Sequence, residues 1–311
     1  LESKLPFFSI IIPTYHRSQQ LAHCLERLAA LEYPRDRFEV IVVDDGSKAP
    51  PSDVVASFSR RFHVELYTQP HAGPAAARNR GAKQARGEFL AFIDDDTAPR
   101  KDWLLALASR FREDPARAVF GRAVNVLLDN RYSTASQLLT DFLCTYYNTD
   151  SRQAKFLTSS NLALPLERFL AIEGFDTTFP LAGGEDREFC DRWLSQSYQV
   201  TYAEEVKVEH AHPLTLSTFW RQHFGYGRGA FHFHRLRAVR RAGYRMQPEP
   251  LTFYLNLVRY PFWKVRPADA LGLTLLLGIS QVANAAGYFW ESFRWKGKAR
   301  PTQVSGGSGR L

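Results

Sequence analysis

The sequence predicts an α/β protein built on a mostly parallel sheet flanked by helices, and three observations carry that prediction. Apolar runs of strand length alternate with helical patterns through roughly the first hundred residues. The runs contain few polar residues, as strands buried on both faces do. Three of them end in Pro13-Thr14-Tyr15, Asp44-Asp45 and Asp94-Asp95-Asp96. Open α/β sheets bind ligands beyond the carboxyl ends of their strands, so these endings mark one candidate rim.

Phe7–Ile12 is the first strand, closed by Pro13. Ser18 reads as the N-cap of a helix with Leu21, Cys24, Leu25 and Leu28 on one face. Phe38–Val43 is the second strand, ending in Asp44-Asp45-Gly46-Ser47. A helix follows from Ser52, a strand spans Val64–Tyr67, and Gly73-Pro74 opens a further helix with proline in its first turn. Gly87–Asp94 holds the fourth strand, with Leu90, Phe92 and Ile93, and a helix is expected near Pro99. Next come a helix from Asp102, a strand near Val119–Leu127 and a less regular region. Ser159–Leu164 reads as a strand followed by a helix from Pro165, and Gly174-Phe175-Asp176 as a turn. Gly183-Gly184-Glu185-Asp186 opens a helix with Phe189, Trp193 and Leu194 inward. Val200–Val208 alternates as a strand and runs into His210-Ala211-His212-Pro213.

The composition shifts near residue 214. Arg221, Arg228, Arg235, Arg237, Arg240, Arg241 and Arg245 stand among aromatics with no acid between them. Leu271–Trp290 carries no charge and is long enough to cross a bilayer, although Ser280, Gln281, Asn284 and three glycines weaken that reading. Phe289, Trp290, Phe293 and Trp295 beside Arg294, Lys296 and Lys298 look like an interfacial belt; a buried core helix is the alternative. The expected division is therefore an α/β domain over 1–213, with halves at about 1–98 and 99–213. A basic and apolar helical extension, possible membrane contact included, covers 214–311, with a flexible Gly/Ser tail over 301–311.

A formal charge of +8 favours an anionic partner such as nucleotide phosphates or acidic lipid. Three scattered cysteines with no CxxC pair argue against a disulfide framework and for a reducing compartment. Leu1–Ser9 lacks the pattern of a signal peptide, so a cytoplasmic location, at the face of a membrane, is expected. Three adjacent aspartates repel one another unless a cation neutralises them, and oxygen ligands suit Mg²⁺ or Mn²⁺. The bland alternative is a solvated turn in which Asp96 caps the next helix.

The blocks Ser-Ile-Ile-Ile-Pro-Thr-Tyr, Val-Asp-Asp-Gly-Ser, Gly-Pro-Ala-Ala-Ala-Arg-Asn, Phe-Ile-Asp-Asp-Asp, Gly-Phe-Asp and Gly-Gly-Glu-Asp stand in one order between Phe7 and Gly229. In this they resemble the family 2 glycosyltransferases, which have the GT-A fold, a Rossmann-like sheet. The resemblance implies an inverting enzyme that moves one sugar from a nucleoside-diphosphate sugar, UDP by default, to a hydroxyl of a glycan, lipid or similar acceptor. By the same resemblance Pro13, Thr14, Tyr15, Arg17, Asp45, Arg78, Asp94 and Asp95 would bind the donor. Asp96 and Asp94 would hold Mn²⁺ or Mg²⁺, with His210, or else His212, as a further ligand. Asp186 would be the catalytic base and Glu185 would orient the acceptor. Trp220–Gly229 falls where relatives carry a mobile lid, from which Arg228 could clamp the diphosphate. His16 departs from the family's usual Asn. The Gln-x-x-Arg-Trp pattern of processive synthases is absent, which favours transfer of a single sugar.

Two readings compete. A nucleic-acid-binding module would use the arginines and aromatics after Phe219, but the acid clusters at the strand ends would repel its phosphates. No nucleic-acid partner is therefore expected. An inactive membrane scaffold would have no use for the intact acids. A dehydrogenase would need G-x-G-x-x-G after the first strand, where Pro13-Thr14-Tyr15-His16-Arg17 has no glycine.

Overall fold

Alternation along the strands builds two cores, one on each face of a single sheet. The computed structural model, which describes residues 5–179 and 183–298, opens with β1 (Phe8–Thr14), α1 (Ser18–Ala29), β2 (Phe38–Asp44) and α2 (Ser52–Phe58). β3 (Val64–Thr68), α3 (Pro74–Ala82) and β4 (Phe89–Ile93) follow. Ile10 and Ile12 of β1 and Val40 and Val42 of β2 pack with Leu21, Leu25 and Leu28 of α1. Ile11, Ile41 and Val43 face the other way, toward Ala75, Ala77 and Ala82 of α3. Burial on both faces is why these strands read as unbroken apolar runs.

The second half comprises β5 (Thr97–Pro99), α4 (Trp103–Glu113), β6 (Ala118–Asn125), α5 (Arg131–Tyr147), β7 (Asn161–Pro165) and α6 (Leu166–Ala171). It closes with α7 (Glu185–Ser195) and β8 (Val200–His210). The eight strands run in the order β3-β2-β1-β4-β7-β6-β8-β5. β1 to β4 are mutually parallel, as expected. β7 is antiparallel to β4 and β6, and β5 is antiparallel to β8, while β6 and β8 are parallel.

Three local expectations change. Thr97–Pro99 does not begin a helix; it pairs with β8, and α4 starts at Trp103. Ser18 is the first residue of α1, with Arg17 in the cap position and no capping side chain. The stretch after Leu127 is not irregular: Asn130 accepts from the Tyr132 and Ser133 amides and starts a 17-residue helix, α5.

Three helices complete the described chain: α8 (Leu216–Arg240), α9 (Leu251–Lys264) and α10 (Pro267–Lys298). A reciprocal Thr215–Thr218 capping box starts α8. Trp220–Gly229, expected as a mobile lid, lies inside this helix. Its glycines serve contact instead. A Cβ on Gly227 would stand 1.8 Å from the Asn284 carbonyl oxygen, and one on Gly287 would stand 2.0 Å from that of Phe224. The α8 and α10 backbones therefore touch where neither carries a side chain. Phe219, Leu257, Leu273 and Leu277 share a third core with Leu138, Leu139 and Phe142 of α5, which fastens the extension to the second half of the sheet. The tail over 301–311 lies outside the described residues, as do the side chains of Lys296 and Lys298.

Gly227→Val tests the crossing. Forcing two backbones apart is expected to destabilise the protein by about 1–3 kcal/mol, read as a lower urea midpoint at unchanged m-value. A wild-type midpoint would show that the helices do not meet there.

Candidate active site

Parallel register delivers the three strand ends, two of them acidic, to one edge: Thr14 pairs with Asp44, and β4 lies on the other side of β1. At that edge a cavity of about 830 Å³ is lined by Pro13, Thr14, Tyr15, Arg17, Asp45, Arg78 and Asp94 to Asp96. Glu185, Asp186, His210 and His212 close it from the second half. Arg228 stays outside: its Nε donates to Glu291 Oε2 at 2.6 Å, because its turn of α8 faces α10. The expected clamp on a diphosphate is thus an interhelical ion pair.

Several acids at the rim are engaged with the protein itself. Asp45 is buried and accepts from Gln69 Nε2 and from the amides of Ala72 and Gly73, so it shapes the loop before α3. Asp44 accepts from the Ser47 amide and so caps the turn after β2. Asp95 accepts from Thr14 Oγ1 at 2.8 Å and Arg17 Nη1 at 3.1 Å. Burial still outweighs these bonds and pushes its carboxyl pKa up to about 6. Tyr15 stacks on His71 with centroids 4.3 Å apart, which covers one ring face and leaves the rest half-exposed. His16 sits at φ 55°, a left-handed backbone that Asn and His both tolerate better than most residues.

Arg78 is 4% exposed, and its Nη2 donates to Asp94 at 2.7 Å. Its Nε and Nη1 are buried without a hydrogen bond, Nη1 standing 3.6 Å from Glu185. Two unfilled guanidinium donors in a cavity wall suit an anionic oxygen ligand.

Asp96 is the focus of the second half. β5 pairs Thr97 with His210, which brings the end of β8 beside the acid. His210 Nε2 lies 3.2 Å from Asp96 Oδ1, and His212 Nδ1 lies 3.1 Å from Oδ2. Arg17 Nη1 also reaches Oδ2, at 3.0 Å. Asp96 caps no helix. Burial opposes its charge, yet the two imidazoles and Arg17 hold its carboxyl well below the usual range. Burial also lowers the His210 pKa, but the adjoining carboxylate more than offsets this and leaves it raised. The ligating atoms of Asp96, His210 and His212 all fall within 4.8 Å of one another. Oδ1 is buried and unbonded, facing His210. One carboxylate and two imidazoles with an orphaned oxygen fit a divalent ion of the Mn²⁺ or Zn²⁺ kind better than an all-oxygen site would. Sequence left His210 and His212 as alternatives; the structure brings both to Asp96.

Glu185 and Asp186 start α7 beyond two glycines at φ 128° and 93°, a backbone that excludes most other residues. Glu185 accepts from the Gly183 amide at 2.6 Å and turns toward Arg78. Among the described residues Asp186 accepts only from the Arg187 amide. Burial first, then the Glu185 charge, raises its pKa to about 7.

One wall was missed from sequence. Ser133, Ser136, Gln137, Thr140 and Asp141 of α5 line the cavity opposite the strand ends, joined by Arg122. Gln137 Nε2 donates to Asp141 at 2.8 Å, while burial raises that carboxyl. Asn130 as an N-cap, followed by Leu138, Leu139 and Phe142 on one face, was the available signal.

Residues 9–164 match the family described as Glycosyl transferase family 2, and residues 89–295 match Glycosyl transferase family group 2. The chain belongs to glycosyltransferase family 2. Glycosyltransferase AglE of Haloferax volcanii is 27% identical over 218 residues, 66% of this chain and 67% of that protein. Validoxylamine A glucosyltransferase of Streptomyces hygroscopicus subsp. jinggangensis is 29% identical over 231 residues, 65% of this chain and 55% of that protein. The chain thus spans between about half and two thirds of these relatives. Its fold is similar to the mannosyltransferase PcManGT from Pyrobaculum calidifontis, solved with GDP-Man and Mn²⁺, at TM-score 0.64 and 18% identity over 93% of this chain and 88% of that one. S. aureus TarS 1–349 in complex with UDP-GlcNAc gives TM-score 0.53 and 17% identity over 94% and 92%. At these identities the likeness is one of fold, the GT-A architecture.

Asp96→Asn removes the charge that holds both imidazoles. Mn²⁺ affinity, read by electron paramagnetic resonance, is expected to fall at least roughly 100-fold. Wild-type affinity in the variant would place the ion elsewhere.

Proposed function

We propose that this family 2 glycosyltransferase moves a single sugar, with inversion, from a nucleoside-diphosphate sugar to an acceptor hydroxyl of a glycan or lipid, using a divalent cation. One observation carries the reading. A cluster able to hold a cation (Asp96, His210, His212) and a carboxyl with a raised pKa (Asp186) face the same cavity from different elements.

In this reading Tyr15, Pro13 and Thr14 form the nucleobase side of the cavity, and Asp45 shapes the loop that borders it. UDP is the nucleotide we favour. Two neighbours of the same fold, one solved with UDP-GlcNAc and one with GDP-Man and Mn²⁺, support the donor class and a divalent cation, for which Mn²⁺ is our choice over Mg²⁺ because two of the three candidate ligands are imidazoles. Arg78, held by Asp94, offers its two free donors to the diphosphate. A cation bound by Asp96 with His210 and His212 would supply Lewis-acid neutralisation of the leaving diphosphate.

The chain's own contribution to bond-making is Asp186. It takes the proton of the acceptor hydroxyl as that oxygen bonds to the anomeric carbon, and the bond to the diphosphate oxygen breaks with its electron pair. One base and one displacement invert the anomeric centre. A carboxyl near pKa 7 is a stronger base than an ordinary aspartate, and it is still substantially ionised at neutral pH. Glu185 keeps the Gly183 amide and Arg78 in place around it. The hydroxyl- and amide-bearing wall of α5 suits a polyhydroxylated acceptor. The setting we favour is the cytoplasmic face of a membrane.

Asp186→Asn should bind nucleotide as wild type does and lose transfer by at least about 10²-fold. Transfer near the wild-type rate would put the base elsewhere. Because the raised pKa keeps Asp186 protonated at low pH, kcat/KM should climb with pH and level off above about 7. A flat profile from pH 5 to 8 would contradict the assignment.

A further inference from the structure

We propose that α9 and α10 lie in the plane of an anionic membrane surface and present the cavity to a lipid-borne acceptor, the acceptor part resting on the sugar-transfer reading above. α10 has two apolar faces and only one is covered. Ala270, Leu273, Leu277 and Ala283 are buried, whereas Leu271, Leu275, Val282, Phe289 and Phe293 are 59–71% exposed. With exposed Gly278 and Ala285 between them, these residues recur at three- and four-residue steps. They form one stripe without a polar residue, about 33 Å long. Leu255, Val258, Phe262 and Trp263 are likewise exposed on α9. Thr274 Oγ1 donates to the Val258 carbonyl at 3.2 Å, so the Leu271–Leu275 turn stands beside that part of α9. A contiguous apolar surface of this size marks an interface.

Charge names the occupant. Arg259, Lys264 and Arg294 are exposed on the two helices and Arg266 in the linker between them, against one exposed acid, Asp269. Cations flanking an apolar face with Trp263 and Trp290 fit a bilayer of anionic lipid. By length and composition Pro267–Trp295 could also cross a membrane. Its other face opposes that. It packs backbone to backbone on α8 and carries Glu291, 8% exposed and ion-paired to Arg228. Crossing would break the pair or carry α8 into the hydrocarbon, whereas lying in plane keeps both.

The same contacts link the membrane face to the cavity. Phe224 lines the cavity, its carbonyl abuts Gly287, and its ring lies 6.4 Å from that of Trp290, which is 54% exposed. An acceptor anchored in the bilayer therefore has its reactive headgroup one helix away from the site.

Flotation of the full chain with phosphatidylcholine vesicles, with and without about 30% phosphatidylglycerol, tests the surface. Binding is expected only with the anionic lipid, weakened by salt and released by alkaline carbonate. Leu275→Glu, Val282→Glu and Phe289→Glu together should cut the bound fraction roughly tenfold or more, with donor hydrolysis in lipid-free buffer unchanged. Retention after carbonate would mean a spanning helix. Undiminished binding by the triple variant, or a lipid-free dimer that the three substitutions split, would also overturn the proposal. For the acceptor, an isoprenoid-linked sugar in vesicles should be used roughly tenfold better than its short-chain soluble analogue, an advantage the triple variant loses. Equal use of both would remove the lipid-borne acceptor. A wild-type chain that hydrolyses no donor would fail the sugar-transfer reading alone, since flotation reports the surface independently.

Discussion

The site depends on placing several buried carboxyl groups at one sheet edge and giving each a partner. Two like charges 4 Å apart cost about 4 kcal/mol at the effective dielectric of a protein surface, so the edge could not form without compensation. Arg17 bridges Asp95 and Asp96, Arg78 stands between Asp94 and Glu185, and backbone amides hold Asp45. Two imidazoles complete the set at Asp96. Among the described residues Asp186 receives the least: one amide bond, with Glu185 beside it. Unequal compensation separates the acids, and it is this separation on which the proposed division into cation holder and base rests. Asp96 is pressed toward charge and Asp186 toward the proton, although both are aspartates on one cavity.

The helical extension answers a second constraint, close approach. Gly227 and Gly287 let α8 and α10 touch, and Gly229 does the same against the Gly183 carbonyl just before the Glu185-Asp186 pair. α8 is thus wedged between α10 and the glycine pair that precedes Glu185 and Asp186. This ties the outer surface of the protein to its chemistry without a hinge. Arg228 belongs to that wedge, where its charge neutralises Glu291.

Much of the first half was legible in sequence because its strands are buried on both faces and its helices are short and punctuated. The same rule misled where register acts. Thr97–Pro99 has the proline of a helix start, yet pairing with β8 makes it a strand. α5 was missed because its cavity face carries Ser133, Gln137, Thr140 and Asp141, which dilute the apolar period. Glycines in Trp220–Gly229 suggested motion, since nothing local distinguishes a hinge from a contact point.

Sequence by itself determined the parallel half of the sheet, the convergence of Pro13, Asp45 and Asp94 to Asp96 on one rim, and the family. These follow from local pattern: apolar period, strand-end chemistry and motif order. Tertiary structure alone decided that both His210 and His212 serve Asp96, that Arg228 turns away to Glu291, and that α10 hides one apolar face and shows the other. Each of those outcomes rests on which surfaces meet across more than sixty residues of chain, and no local pattern encodes such a meeting.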